Sequence, residues 1–138
     1  MTSRCHVLIV EDDPLIVDVL VASLELEYRV SSVNTVGAAL AFLRTSHADV
    51  VLIDSILPDG RGTEVACFAD GLGAAVIEMS GYPNVMEDLE HSARPHLLKP
   101  FGVQVLHSTI GRALRRVDGS VGGTEWDTDA TDSLGGAS

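Results

Sequence analysis

Asp49-Val50-Val51-Leu52-Ile53-Asp54 runs directly into Ser55-Ile56-Leu57-Pro58-Asp59-Gly60-Arg61-Gly62. Four apolar side chains in a row, without alternation, suit a strand covered on both faces, as in a parallel sheet. The segment that follows is rich in turn formers, so the strand stops at Asp54. Three other apolar runs stop on polar residues in the same way. His6-Val7-Leu8-Ile9-Val10 ends in Glu11-Asp12-Asp13, Ala74 to Met79 ends in Ser80-Gly81, and Leu97-Leu98 ends in Lys99-Pro100. In an open parallel sheet those strand ends share one edge, and ligands bind there.

Between these runs the pattern switches to helical spacing. Pro14 takes a first helical turn, and Leu15, Ile16, Val19, Leu20 and Leu24 follow. Tyr28 to Val33 reads as a short strand. Asn34 or Thr35 caps a helix carrying Val36, Ala39, Leu40 and Leu43 on one face. A third helix spans Gly62 to Ala69 and ends at Gly71-Leu72-Gly73. A fourth, weaker stripe is Val85, Met86, Leu89 and Ala93, with Glu87, Asp88 and Glu90 on its outer face. A fifth is Val103, Leu106, Ile110, Leu114 and Val117. Five alternating strand–helix units imply right-handed crossovers and helices on both faces of one sheet.

Composition narrows the class. The chain has 138 residues, 46% apolar but only 4% aromatic, enough for one aliphatic core. No apolar run approaches the roughly 20 residues of a membrane span, and the start shows no signal-peptide pattern. Cys5 and Cys67 lack metal-ligand neighbours and read as buried small residues of a reducing, cytoplasmic setting. A net charge of −11 argues against nucleic acid as a direct partner. Arg112, Arg115 and Arg116 suit the last turns of a helix. Residues 1–118 are expected to form the folded domain, and 119–138 an acidic, Gly/Ser/Thr/Asp-rich disordered tail holding Trp126.

The shared edge gathers Glu11, Asp12, Asp13 and Asp54. Two carboxylates about 5 Å apart repel by roughly 3 kcal/mol at an effective dielectric near 20. A cation must oppose them, and a few hard oxygen ligands with room for water describe a magnesium site. Asp13, just before Pro14, serves equally well as a helix cap. Lys99 brings a positive charge to the same edge and can pair with Asp54; its bond to Pro100 can be cis. Ser80 offers a hydroxyl to a phosphoryl oxygen.

These pieces together resemble a response-regulator receiver domain of two-component signalling, over about residues 4–118. They are Val-Leu-Ile-Val-Glu11-Asp12-Asp13, Leu-Ile-Asp54-Ser-Ile-Leu-Pro58-Asp-Gly-Arg-Gly62, Met-Ser80-Gly-Tyr82-Pro and Leu-Leu-Lys99-Pro100-Phe101. The resemblance implies a flavodoxin-like, five-stranded parallel sheet ordered 2-1-3-4-5; the same order is known from a chemotaxis receiver. It implies that Asp54 accepts a phosphoryl group from the phosphohistidine of a histidine kinase or phosphotransfer protein. Asp12, Asp54 and the backbone carbonyl of Ile56 would hold Mg2+, with Glu11 acting through water. Lys99 and Ser80 would contact the phosphoryl oxygens. Ser80 and the residue at position 96 would form the switch, and Ile56 and Tyr82 would tune the lifetime of the acyl phosphate.

Two features depart from the family pattern. His96 stands where the family usually has Tyr or Phe, and the stretch from Ser80 to Lys99 is a few residues short. Only about 20 residues follow the last helix. The expectation is therefore a stand-alone receiver, a phosphorelay intermediate or a phosphorylation-dependent switch for a target protein. It would catalyse only its own phosphorylation and dephosphorylation. Rival readings are a receiver-like binding module that works without phosphorylation and a phosphatase with Asp54 as nucleophile. The phosphatase usually needs a second acid two residues on, where Ile56 stands.

Overall fold

The computed structural model describes residues 4–81 and 95–122, with side chains through 117. Five parallel strands form one sheet. They are β1 (His6–Val10), β2 (Arg29–Val33), β3 (Val50–Asp54), β6 (Ala75–Ser80) and β7 (His96–Leu98), in the order β2-β1-β3-β6-β7. The family resemblance implied the order 2-1-3-4-5, and the arrangement is the same. Two numbers are taken by a hairpin not foreseen from the sequence, β4 (Ile56–Leu57) and β5 (Gly60–Arg61). Its strands are two residues long, too short for any periodicity to register.

Four helices are described: α1 (Pro14–Leu24), α2 (Val36–Thr45), α3 (Gly62–Gly71) and α4 (Val103–Gly122). Alternation along the strands sorts the core into two layers. Leu8, Val10, Val51, Ile53 and Val76 face α2 and α3, against Ala39, Leu43, Val65 and Ala69. Val7, Ile9, Leu52, Ile77 and Leu97 face α1 and α4, against Leu20, Leu24, Leu106 and Ile110. Each fully buried aliphatic side chain of this kind contributes about 1.5–3 kcal/mol.

Local chemistry fixes the helix ends. Asp13 caps α1, its carboxylate accepting from Leu15 N at 2.9 Å, with Pro14 in the first turn. Thr35 caps α2 by accepting from Ala38 N at 3.0 Å. Asp59 adds a second cap from the hairpin loop, accepting from Val36 N at 2.7 Å and Gly37 N at 3.0 Å. Gly73, at φ +86°, turns the chain out of α3 in the left-handed conformation that glycine tolerates best. The Lys99–Pro100 bond is cis. Cys67, expected to be buried, lies on the outer face of α3 and is exposed, and Cys5, just before β1, is partly exposed.

The last helix runs to Gly122, past the boundary expected at residue 118. Once a helix is nucleated each further residue adds a backbone hydrogen bond, so it can carry through a weakly helical Gly-Ser stretch. The weak helical stripe of residues 85–93, Tyr82, and the tail with Trp126 lie outside the described residues. Among the described residues, no helix is long and apolar enough to cross a membrane.

Candidate functional site

Parallel pairing brings the strand ends together. Val10 lies opposite Ile53, and Asp54 opposite Met79, so Glu11 and Asp54 leave the sheet side by side, with Ser80 one residue further along β6. β7 pairs Leu98 with Ser80, which delivers Lys99 to the same edge. The backbone N–H of Lys99 donates to the Ser80 carbonyl at 2.7 Å.

Lys99 is the electrostatic centre. Its ammonium donates to Glu11 Oε1 at 2.5 Å and lies 3.2 Å from Asp54 Oδ2. The sequence suggested the pairing with Asp54, but not the closer one with Glu11. Glu11 is 1% exposed. Burial pushes its carboxyl above the usual range and the charge of Asp54 adds to this, while hydrogen bonds from Lys99 and the Asp13 N–H oppose it. For Lys99, burial works against the charge, but Glu11 and Asp54 outweigh it and hold the amine above its ordinary value.

Glu11, Asp12 and Asp54 offer carboxylate oxygens within 4.8 Å of one another. Three carboxylates against one ammonium leave two negative charges, a fit for one divalent cation on hard oxygen ligands. Asp12 is exposed, leaving room for water. Asp13 is not part of this group and acts as a helix cap. The Ile56 N–H points to Asp54 Oδ1 at 3.4 Å, so the backbone of Ile56 adjoins the carboxylate.

Gly62 explains how β3 and α3 fit. A Cβ there would fall 2.3 Å from the Asp54 carbonyl and 2.4 Å from Ile53 Cγ2. Only glycine lets α3 start this close to the end of β3. Ser80 is fully buried and reaches the edge from β6. His96 is half-buried and lies opposite Glu78, itself 1% exposed. Glu78 drew no notice in the sequence because it interrupts an otherwise apolar strand by a single residue.

Beside Lys99, an apolar hollow of about 440 Å³ is lined by Leu15, Ile16, Val19, Leu20, Pro100 and Phe101. Leu15 is 74% exposed and Val19 63%.

A doubly wound sheet with an acidic pair, an aspartate, a serine and a lysine at its carboxyl edge defines a class of signalling domain. The chain belongs to the response regulator receiver domain family, whose pattern it matches over residues 7–111. It is 30% identical over 142 residues to the transcriptional regulatory protein CseB of Streptomyces coelicolor, covering 99% of this chain and 58% of that protein. It is 28% identical over 121 residues to the DNA-binding response regulator MtrA of Mycolicibacterium smegmatis, covering 83% of this chain and 53% of that one. The chain thus spans about half the length of the curated relatives it matches. A CheY-like receiver domain protein from Methanospirillum hungatei superposes with a TM-score of 0.75 at 31% identity, covering 86% of this chain and 99% of that one. The response regulator TrrA from Thermotoga maritima, solved in complex with Mg(2+)-BeF, superposes at 0.72 with 25% identity, covering 80% of this chain and 100% of that one.

Proposed function

We propose that Asp54 is the phosphoacceptor of a signalling switch, taking its phosphoryl group from a phosphohistidine of a histidine kinase or phosphotransfer protein. The observation that carries this reading is the placement of Asp54 at a strand end, 3.2 Å from Lys99 and grouped with Glu11 and Asp12. In the transfer, the P–N bond of the donor breaks as a P–O bond to an Asp54 carboxylate oxygen forms. The imidazole leaves with the electron pair of the broken bond. Such transfer needs positioning and neutralisation of charge more than covalent machinery.

Each residue has a role in that scheme. Lys99 approaches Asp54 from one side, held there by Glu11, and balances negative charge on the phosphoryl oxygens. Ser80 supplies a hydroxyl to those oxygens. Mg2+, held by Asp12, Asp54 and the Ile56 carbonyl with Glu11 behind them, would neutralise developing charge during transfer. The complex of the similar TrrA with Mg(2+)-BeF supports this metal. The apolar hollow beside Lys99 suits a helical donor carrying its histidine among apolar residues.

New charge on Asp54 then biases the switch through Ser80 and His96, and the domain either passes the group on or binds a target. Incubation of the full chain with acetyl phosphate and Mg2+ tests the reading. One hydroxylamine-labile phosphoryl per chain is expected, absent in Asp54→Asn. Labelling that survives in Asp54→Asn, or turnover of free phosphomonoesters, would overturn it.

A further inference from the structure

We propose that the opposite edge of the sheet carries a second site, for a small oxyanion of the phosphate class. The amino ends of β1, β2 and β3 border a hollow of about 580 Å³ lined by Arg4, His6, Arg29, Ser46, His47 and Asp49, with the ring of Phe42 as an apolar wall. It lies at the far end of the strands that finish in Glu11 and Asp54, so it is independent of the acidic edge and of the function proposed there.

The charges do not cancel inside the hollow. Asp49 is its one carboxylate, and both oxygens are already engaged. Oδ2 accepts from the His6 N–H at 2.8 Å, and Oδ1 pairs with His47 Nε2 at 2.9 Å. Arg4 donates to the Glu25 carbonyl at 3.0 Å, and Arg29 approaches His6 Nδ1 at 3.4 Å. Among the described residues, neither guanidinium has a carboxylate within 4.0 Å. This holds in a chain with 20 acidic residues and a net charge of −11. Two guanidiniums without a carboxylate partner line one hollow, which suits an external anion because guanidinium binds phosphate and carboxylate bidentately.

His6 is the device that aims Arg29. A guanidinium can only donate, so Nδ1 accepts, and Nε2 carries the proton toward Ser31 Oγ at 2.7 Å. That fixes a neutral ring, 8% exposed and edge-on to Phe42 with centroids 5.7 Å apart. Burial and the neighbouring Arg29 both favour this neutral form. Ser46, exposed at the rim, adds a hydroxyl donor, and the exposed His47 beside it keeps Asp49 Oδ1 occupied.

The test is a titration of the full, isotope-labelled chain with inorganic phosphate, without divalent metal and at constant ionic strength held with chloride, followed by NMR. Saturable shifts are expected at residues 4–6, 29–31 and 46–49, with an affinity on the order of 1 mM and no change at residues 11, 12 and 54. Arg4→Gln with Arg29→Gln should weaken binding at least about tenfold, a loss of about 1.4 kcal/mol. His47→Gln, altered at an exposed rim position, keeps the fold and should weaken it by a smaller factor, so the test survives if the double variant fails to fold. Shifts that never saturate, that chloride reproduces, or that persist undiminished in the variants overturn the proposal. So would shifts confined to the acidic edge.

Discussion

The ammonium of Lys99 lies 2.5 Å from Oε1 of Glu11, a contact between residues 88 positions apart and closer than the one Lys99 makes with Asp54. Glu11 is the more deeply buried of the two carboxylates, so Lys99 is what makes its charge tolerable. Removing the amine strands that charge. Lys99→Met should cost about 3 kcal/mol at pH 8, as breaking a buried pair does. The loss should be smaller at pH 5, because Glu11, raised by burial and no longer held down by the ammonium, takes up a proton more readily as pH falls. Urea unfolding at both values checks this, and an equal loss at each would contradict it.

The same substitution should help the metal. Taking a positive charge from beside Asp54 leaves three carboxylates facing the cation alone. A Mg2+ and an ammonium about 5 Å apart repel by roughly 1–2 kcal/mol in water-like surroundings. Lys99→Met should therefore bind Mg2+ about tenfold more tightly, measured by calorimetry. Weaker binding would show that Lys99 organises the carboxylates instead of competing for them.

Protons should destabilise the far edge of the sheet. The folded-state pKa of His6 is lowered from 6.5 by burial and then by Arg29, so the unfolded chain takes the proton first. Its contribution is present above pH 6.5 and is lost as pH falls through the folded value. Glu11, raised above 4.5, acts with the opposite sign, favouring the fold as pH falls toward that value. Comparing the wild type with His6→Gln isolates the histidine. The variant should lose less stability between pH 7 and pH 5, and parallel curves would refute the assignment.

Gly62→Ala should damage fold and chemistry together. The added carbon would sit 2.3 Å from the Asp54 carbonyl, so α3 or the end of β3 has to shift. Overpacking of this kind costs about 1–3 kcal/mol. Labelling by acetyl phosphate should slow as well, because Asp54 moves. A variant with lowered stability but wild-type labelling would separate the two effects and show that the backbone yields on the helix side.

Leu15→Asp should leave both stability and labelling by acetyl phosphate nearly unchanged, since Leu15 is 74% exposed. Transfer from a phosphohistidine donor should slow at least about tenfold if the hollow receives that donor, the effect of one lost apolar anchor. Unchanged transfer would move the docking face elsewhere.

Much of this could be read from residue order alone. Strand ends at Asp54, Ser80 and Lys99 were legible because apolar runs stop abruptly on polar residues, and parallel pairing then leaves one edge for them to share. The α1 and α2 caps were legible because Asp13 precedes Pro14 and Thr35 precedes an apolar stripe. Three features were not. The Lys99–Glu11 contact depends on which carboxylate is buried, a matter of three-dimensional packing. The β4–β5 hairpin is too short to show a period. The hollow at Arg4 and Arg29 draws on four separate stretches of chain, none with a motif of its own.

Asp59 ties two parts of the molecule that sequence numbering keeps apart. Its carboxylate, carried on the loop after Asp54, closes the first turn of α2. Residues 55–61 are therefore not a replaceable module. Grafting a foreign loop in their place would unstopper a helix on the neighbouring unit, and an engineer hoping to reshape the acidic edge would first meet a loss of thermal tolerance.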